Sequence, residues 1–553
     1  MPIVNVKLSK LERLLGRRLA PEEAAEALAR LGLGIEEITA DAVKAEYNPN
    51  RPDFSSLYGI ARALQGVYGV KTGAPKYRIA RPKVIVTADR SVEGVRPFIV
   101  CGVVRGVSLD EDDLEDLITM QEDLHWILGR GRRKVAIGLH NLDSVEPPFI
   151  YKATKPDETP FIPLKATAPM TPREILERHE IGSKYAHLLS GYGEYPVIVD
   201  ARGDVLSMPP IINSSRTELK PGVRNVFIDV TGTDWEKVNQ ALNILVAALV
   251  DAGGRAEGVI LRYPNRRYVT PSMREGRIAV KRSYVNSLLG LSLQDGEIAR
   301  LLKAMRLDAK AGKGVVKVSY PAYRVDIMHP VDLVEEVAIA YGYGNMELEP
   351  PPTLTFGSLL PDTYVSELLR DAMIGMGYTE VFNTLLTNEN NQYAKMLAPE
   401  EPRVKLLNPA TREYTMIRTW IIPDLLRNLA DNQRNLYPQR IFEIGDVVKP
   451  DLTKPEKAVR LLHLAAASCH GEAGFNDVKS LAEELARVME LEINIQPAEH
   501  PSFIPGRTAR LTTAGGEEIG LMGEIHPQVL ENHGLPMPAA ALEIKLWRIY
   551  QLA

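Results

Sequence analysis

The chain contains two copies of one short pattern, and this duplication constrains its fold more than any other sequence feature. Residues 11–33 and 285–307 share their leucine spacing at a constant offset of 274, as the following pairs show: Leu14–Leu288, Leu15–Leu289, Leu19–Leu293, Leu28–Leu302 and Leu33–Leu307. The spacing is that of amphipathic helices, and Pro21 stands where a first helical turn tolerates proline. Each copy is therefore predicted to contain a pair of helices.

The correspondence continues beyond the leucines after a slip of one residue. At an offset of 273, five residues of the first copy recur in the second: Tyr47, Arg51, Asp53, Tyr68 and Gly69 match Tyr320, Arg324, Asp326, Tyr341 and Gly342. A repeat of this regularity indicates a duplicated structural unit. We predict two small α/β units, at residues 1–80 and 270–347, each with helices and a short β-ribbon.

The length and composition indicate a folded multidomain protein. The 553 residues exceed the ~250–300 that one hydrophobic core accommodates, so three to five domains are expected. Hydrophobic residues make up 45% of the chain, and no apolar run approaches the ~20 residues of a membrane helix. Charged residues interrupt the first 18 positions, which lack the core of a secretory signal, so a cytoplasmic protein is expected. Cys101 and Cys469 supply neither a disulfide framework nor zinc-ligand spacing.

The formal net charge of −5 argues against a protein whose whole surface attracts nucleic acid. Contacts with RNA would have to be local or shared with a partner. Two local basic segments exist, "GRGRRK" at 129–134 and "RYPNRRY" at 262–268, although each is also compatible with a solvated loop. A DNA-binding protein built on the repeated units is disfavoured because no basic recognition helix is found.

The second copy carries a group of carboxylates that the first copy lacks. Four acids lie within eleven residues: Asp326, Asp332, Glu335 and Glu336. Pro330 is suited to a first helical turn, and three of the acids then follow at i, i+3 and i+4 on one helix face. A divalent cation would relieve their repulsion, and hard oxygen ligands favour Mg²⁺. The alternative is a solvated acidic helix start with Arg324 as the ion-pair partner. Three of the four aligned positions of the first copy hold no acid, since Asp332, Glu335 and Glu336 align with Gly59, Arg62 and Ala63.

The central region, residues 90–265, alternates β-rich and helical segments and is predicted to be an α+β domain. His140 follows an apolar run and is expected to reach a cleft, although a lone histidine is also compatible with a structural role. A later loop is dense in hydrogen-bonding side chains, which include Asn213, Ser215, Thr217 and Glu218. Such a loop is suited to orienting a water and an ester, or is a simple polar turn. No Ser-His-Asp order indicates a covalent nucleophile.

A Pro-rich connector separates this part from residues 355–553, which are predicted to form another α/β block. Arg412, Glu413, Arg418 and Arg427 lead into the strand "RIFEIGDVV". This arrangement is similar to the second motif of class II aminoacyl-tRNA synthetases. The Gly-rich segment ending in Arg that such enzymes use to hold ATP is missing, so the block is interpreted as a catalytic fold that has lost its nucleotide site.

Six segments in order resemble the archaeal and eukaryotic type of phenylalanyl-tRNA synthetase beta subunit: "YNPNRPDFSSLYGIARAL", "VAIGLHNLDSVEPPFIYKA", "INSSRTEL", "YRVDIMHPVDLVEEVAIAYGYGN", "NPATREYTMIRTWIIPDLLRNLADN" and "FEIGDVV". The resemblance runs essentially end to end. It implies a multidomain α+β chain with duplicated helical or winged units flanking an editing domain, followed by a class II synthetase-like antiparallel sheet without an ATP site.

The resemblance also implies a function. The family forms a cytoplasmic α2β2 ligase that attaches phenylalanine to tRNA(Phe) with ATP, and the alpha chain holds the aminoacylation site. The central domain of the beta chain hydrolyses tRNA mischarged with tyrosine, which would place editing at His140, Asn213, Ser215, Thr217 and Glu218. The C-terminal block would pack on the alpha chain.

The family's Mg²⁺ site, shared with the alpha chain, falls on the second copy's acids: Asp326, Asp332, Glu335 and Glu336.

A phenylalanine-binding pocket rejects the extra hydroxyl of tyrosine only weakly, which explains the need for a second, hydrolytic sieve. The alternative function is a non-catalytic scaffold subunit of an RNA-processing complex.

Overall fold

The computed structural model describes residues 2–350 and 355–547, which divide into two compact units, Met1–Pro350 and Pro351–Ala553. The first unit begins with the first copy of the repeat: β1 (Ile3–Lys7), α1 (Leu8–Leu15), α2 (Pro21–Arg30), β2 (Gly34–Ile38), β3 (Ala42–Glu46) and α3 (Leu57–Val67). The predicted helix pair is confirmed, with Pro21 at the first position of α2. The strands form a three-stranded sheet in the order β1-β3-β2.

A central region with one ten-stranded sheet follows. Its elements are β4 (Ala80–Ala88), β5 (Phe98–Arg105), α4 (Glu111–Ile127), β6 (Val135–Asn141), β7 (Phe149–Thr154), α5 (Pro172–Arg178), α6 (Glu180–Tyr185), β8 (Tyr195–Val199), β9 (Val205–Met208), β10 (Ile212–Asn213), β11 (Asn225–Gly232), α7 (Trp235–Asp251), β12 (Arg255–Tyr263) and β13 (Arg266–Thr270). The strand order is β10-β9-β8-β7-β4-β12-β5-β11-β6, with β13 paired to β12. The main core packs α4 and α7 against this sheet.

The first unit ends with the second copy of the repeat. Its elements are β14 (Gly276–Lys281), α8 (Arg282–Leu289), α9 (Asp295–Ala304), β15 (Asp308–Ala311), β16 (Val315–Tyr320) and α10 (Pro330–Tyr341). The sheet order β14-β16-β15 repeats that of the first copy. Gly16 and Gly290 end the first helix of each copy in the same left-handed conformation, with φ of 71° and 67°, a conformation that glycine adopts without steric strain.

The second unit contains a seven-stranded sheet and a small two-stranded one. Its elements are α11 (Pro361–Gly375), β17 (Thr379–Glu380), β18 (Leu386–Thr387), β19 (Met416–Ile417), α12 (Ile422–Asp431), β20 (Gln439–Pro450), β21 (Ala458–Cys469), α13 (Phe475–Val488), β22 (Ile493–Pro497), β23 (Phe503–Thr513), β24 (Glu518–Ile525), α14 (Pro527–His533) and β25 (Ala539–Ile544). The large sheet runs β17-β20-β21-β25-β24-β23-β22 and is antiparallel except at β17.

Both faces of this large sheet are covered. Alternate residues of β21 enter two different cores, because successive side chains of a strand point to opposite faces. Leu464 and Ala466 pack with α11 and α13, whereas Ala465 and Ala467 pack with α12 and α14.

Three further observations complete the description. Cys101 and Cys469 are both free and buried. Within residues 2–350 and 355–547, no helix combines the length and apolar character needed to cross a bilayer. The Pro-rich connector lies partly outside the described residues, at 351–354.

Candidate functional site

The central region contains a cavity of about 330 Å³ beside the edge of the ten-stranded sheet. Its wall includes residues from β6, β9 and β11, from helix α4 and from a hairpin at 161–170. Helix α4 starts at a capping box formed by Asp110 and Asp113. The residues that it contributes to the wall are spaced by three or four positions and so share one face: Ile118, Gln121, Glu122 and His125.

A buried aspartate–histidine pair lies at the wall of the cavity, and Asp229 is the member that lines it. The Oδ2 atom of Asp229 is 2.6 Å from Nε2 of His140, and Nδ1 of His140 is 2.8 Å from Oγ1 of Thr217. All three side chains are almost completely buried. Because an ionised carboxylate only accepts hydrogen bonds, Nε2 must carry the hydrogen that it shares with Asp229. Both ring nitrogens are therefore engaged, and His140 holds Asp229 in one orientation.

The sheet register explains why this pair fits. Asp229 on β11 lies directly opposite Gly138 on β6, two residues before His140. A Cβ atom at Gly138 would lie 2.0 Å from Oδ2 of Asp229 and 2.6 Å from Nε2 of His140. The absence of a side chain at position 138 is what lets the two groups meet over the strand.

Arg132 and Ser207 each supply one buried polar atom to the cavity wall. Arg132 donates to the carbonyl oxygen of Ile211 at 2.9 Å and to Glu122 at 2.7 Å, and its guanidinium lies 4.1 Å from the Tyr185 ring centroid. Its Nε atom and Oγ of Ser207 are buried without a hydrogen-bond partner in the described part of the chain. Buried polar groups are normally paired, so these atoms in the cavity wall are suited to a polar ligand.

His125 is a neutral member of the wall. Burial lowers its pKa, and the hydrogen bond with Glu122 only partly opposes that effect. Its Nε2 atom accepts a hydrogen bond from the backbone N–H of Ile137 at 2.8 Å. The hydrogen of the neutral ring is therefore on Nδ1, which faces Oε1 of Glu122 at 3.3 Å.

The structure gives the five predicted editing residues different positions. Asn213 and Glu218 line the cavity. His140 lies inside β6 rather than after it, and it is buried together with Thr217 behind Asp229. Ser215 does not line the cavity, and its backbone N–H donates to the carbonyl oxygen of Ile162 at 2.9 Å.

Among the wall residues that sequence reasoning missed, the three on which the proposed chemistry depends are Asp229, Arg132 and Ser207. Asp229 interrupts the apolar run "VFIDVTG", and a charged residue at the centre of a buried strand was a usable signal. Arg132 belongs to the basic segment "GRGRRK", which was read only as a surface patch. Nothing in the sequence around Ser207 distinguishes it from other residues of a strand.

Three of the four acids of the second copy are engaged by groups of the chain itself. Arg324 is buried and donates to Asp326 at 2.6 Å and to Glu336 at 2.7 Å. Asp332 caps the start of α10, accepting from the backbone N–H groups of Met328 and His329 at 2.7 and 2.6 Å.

These contacts do not fit a bound divalent cation. The guanidinium of Arg324 occupies the space between two of the proposed ligands, and a third ligand is engaged by backbone N–H groups. Burial, together with the neighbouring carboxylates, raises the pKa of Glu335. Among the residues described, no group of three or more His, Cys, Asp or Glu side chains is arranged to hold a metal ion. The magnesium site stays a prediction.

Arg418, one of the four residues compared with the second class II motif, is not available to a nucleotide. Arg418 is buried, its Nη2 atom is 2.7 Å from Glu443, and its Nε donates to the carbonyl oxygen of Asp446 at 2.8 Å. Arg412 and Glu413, in contrast, are exposed. An internal carboxylate therefore takes the place that an anionic ligand would need.

Comparison with known proteins identifies the family. Residues 348–546 match the phenylalanyl tRNA synthetase beta chain CLM domain, and residues 278–343 match the tRNA synthetase B5 domain. The phenylalanine–tRNA ligase beta subunit of Methanothrix thermoacetophila is 41% identical over 548 residues, covering 99% of this chain and 100% of that protein. The chain belongs to the phenylalanine–tRNA ligase beta subunit family. The family member from Methanocaldococcus jannaschii is 40% identical over 551 residues, again covering 99% and 100% of the two chains.

A solved structure extends this family assignment to the fold. An N-terminal fragment of the phenylalanyl-tRNA synthetase beta subunit from Pyrococcus horikoshii has 40% sequence identity and a TM-score of 0.60. It covers 62% of this chain, and all of that fragment is matched. The mixed α+β, multidomain class expected from the sequence is thereby confirmed.

Proposed function

We propose that this chain pairs with an alpha subunit as a cytoplasmic α2β2 phenylalanine–tRNA ligase, and that its central cavity hydrolyses tRNA(Phe) mischarged with tyrosine. In this assembly the alpha chain performs the ATP-dependent charging with phenylalanine. The family membership supports the ligase role. The observation that carries the editing role is the cavity wall, in which a histidine orients a buried aspartate beside unpaired polar atoms.

The chemistry required is the hydrolysis of one ester. A water oxygen attacks the carbonyl carbon of the tyrosyl ester, the bond from that carbon to the terminal ribose oxygen breaks, and a proton passes to the ribose oxygen. Asp229, held by His140, orients and polarises the attacking water. This role follows from general base catalysis, in which the base must lie within hydrogen-bond reach of the water.

The remaining wall groups bind and position the substrate. Ser207 Oγ and Arg132 Nε can each form a hydrogen bond to the polar atoms of a tyrosyl group, and such bonds would favour tyrosine over phenylalanine. A site built to hydrogen-bond a hydroxyl rejects the analogue that lacks it. The cavity volume is within the range of small-molecule sites, which begins at about 300 Å³.

Editing is tested with the purified α2β2 complex and Tyr-tRNA(Phe). We expect Asp229→Asn to abolish most tyrosine release while phenylalanine charging stays intact, because the charging site lies on the alpha chain. Glu218→Gln, in the same wall but at the exposed side, is expected to have a smaller effect. Equal hydrolysis by Asp229→Asn and the parent complex would favour the scaffold alternative.

The ligase role requires the partner chain, and the second unit offers a surface for it. Helix α11 and its flanks expose large apolar side chains, among them Leu360, Tyr364 and Leu368. Exposed apolar patches of this kind are typical of protein interfaces. We expect the chain to charge tRNA with phenylalanine only when it is co-purified with the alpha subunit, and Tyr364→Asp combined with Leu368→Asp to weaken that co-purification.

A further inference from the structure

The hairpin at residues 161–170 is firmly attached to the wall of the cavity. Phe161 and Met170 exchange two backbone hydrogen bonds across it, at 3.1 and 2.8 Å. The backbone N–H of Leu164 donates to the carbonyl oxygen of Asn213 at 2.9 Å, and the carbonyl oxygen of Leu164 accepts from His179 at 3.0 Å. The residue that follows, Lys165, is therefore held in a fixed position.

Lys165 has a backbone conformation that lysine rarely adopts. Its φ is +66°, in the left-handed region where glycine is the usual residue. Strained conformations of this kind concentrate at functional sites. Arg132, with a φ of +68°, is a second cationic residue that combines such a backbone with a place in the same wall.

Lys165 is also the unpaired cation of this wall. It lines the cavity and is solvent-exposed, so it lies where the cavity opens to solvent. Its amine makes no ion pair or hydrogen bond with any residue in the described ranges. The other charged side chains of the wall have partners within the chain: Arg132 with Glu122, Glu218 with Lys220, and Asp229 with His140.

We propose that Lys165 binds a backbone phosphate of the acylated RNA 3′ end as it enters the cavity. The inference rests on the proposed editing function and names the part of the substrate that this residue recognises. When the acyl group occupies the cavity, the terminal ribose lies at its opening, and the next group along the strand is a phosphodiester. A free ammonium at that opening supplies a local positive charge to a chain whose net charge is −5, and a phosphodiester is the anion that it would attract.

The experiment compares two substrates of the α2β2 complex that differ in the phosphate. One is Tyr-tRNA(Phe), and the other is 2′(3′)-O-tyrosyladenosine, which has the same ester and no phosphate. The main variant is Lys165→Gly, because glycine removes the amine and accepts the left-handed backbone without strain. Lys165→Arg retains the charge. Lys457→Gly is the matched control, since Lys457 is also left-handed, with a φ of +55°, and does not line the cavity.

We expect Lys165→Gly to raise the KM for Tyr-tRNA(Phe) about tenfold and to leave kcat/KM for tyrosyladenosine unchanged. The salt dependence of log KM for the tRNA should become shallower by about 0.7, the loss of one single-strand phosphate contact. Lys165→Arg should retain most of the activity, and Lys457→Gly should match the parent.

Other results would overturn the proposal. Equal losses on both substrates would show that Lys165 acts on the ester or on the cavity shape rather than on a phosphate. An unchanged KM for the tRNA would show that it has no role in binding. If the parent complex hydrolyses neither substrate, the proposed editing function itself fails, and this inference fails with it.

Discussion

Replacing Gly138 by alanine tests the geometry of the proposed editing site with a single methyl group. The added Cβ would lie 2.0 Å from Oδ2 of Asp229, so the carboxylate must retreat by at least 1.4 Å to reach an ordinary contact of 3.4 Å. His140 cannot follow easily, because its other ring nitrogen is held by Thr217 at 2.8 Å. The hydrogen bond between Asp229 and His140 should therefore break or be severely bent.

The expected effects on catalysis and on stability differ in size. A misplacement of about 1 Å at a reacting group can lower the rate ~100-fold, so we expect tyrosine release from Tyr-tRNA(Phe) to fall by roughly this factor. Overpacking of a well-filled site typically lowers the free energy of unfolding by about 1–3 kcal/mol. The complex should therefore remain folded at the assay temperature, and phenylalanine charging should be close to that of the parent.

The measurement is single-turnover deacylation by the α2β2 complex, with thermal unfolding followed in parallel. Gly94→Ala is the matched control, since no heavy atom lies within 4 Å of its added Cβ and its backbone is not left-handed. If Gly138→Ala deacylates at the parent rate while remaining folded, the aspartate–histidine pair is not the centre of the reaction. A loss of editing in Gly94→Ala of the same size would show that the effect is not local.

Three further predictions concern charges elsewhere in the chain. Arg324→Met removes the main partner of the buried Glu336 and of the partly buried Asp326, and it should lower the free energy of unfolding by about 3–5 kcal/mol; a loss below about 1 kcal/mol in denaturant titrations would contradict the ion-pair description. Burial raises the pKa of Asp424 to about 7 against the nearby Arg427 and Arg418. The folded state thus binds this proton more tightly than the unfolded state, so stability should fall as pH rises from about 4 to 7, and Asp424→Asn should flatten that fall. The magnesium prediction is tested by elemental analysis of the α2β2 complex before and after Asp332 and Glu335 are replaced together by alanine. The sequence prediction requires this double replacement to remove a divalent ion, whereas the contacts of Arg324 and Asp332 lead us to expect an unchanged metal content.

The duplicated units were predictable because their signals are local. Leucines at helical spacing, Pro21 at a helix start, and glycines at the helix ends each act within one or two turns of the chain. The two copies then share the same order of strands in their sheets. A constant offset between two segments is visible in a single sequence, so the repeat could be found without knowing any contact.

The aspartate–histidine pair of the proposed editing site was not predictable in the same way, because it depends on pairing between distant strands. Asp229 and His140 are 89 residues apart and meet only because β11 lies beside β6. The sequence placed His140 at the edge of a cleft, whereas the strand continues through it and buries the ring. The loop prediction was closer, since Asn213 and Glu218 do line the cavity.

The ion pairs formed by the charged residues of the repeat differ between its two copies. In the first copy, Asp53 is paired with Arg51 at 2.9 Å and with Arg62 at 3.3 Å. In the second copy, Arg324 forms ion pairs with both Asp326 and Glu336. Glu336 also lies 3.8 Å from Arg51 of the first copy.

Three guanidinium groups therefore face three carboxylates across the junction of the copies: Arg51, Arg62 and Arg324 with Asp53, Asp326 and Glu336. Removing one member of such a network leaves an uncompensated charge in a buried place. This network explains why Asp326 and Glu336 are present in the second copy. A third acid, Asp332, is explained by its role in capping helix α10. Glu335 is the acid that none of these contacts explains, and burial together with its acidic neighbours raises its pKa.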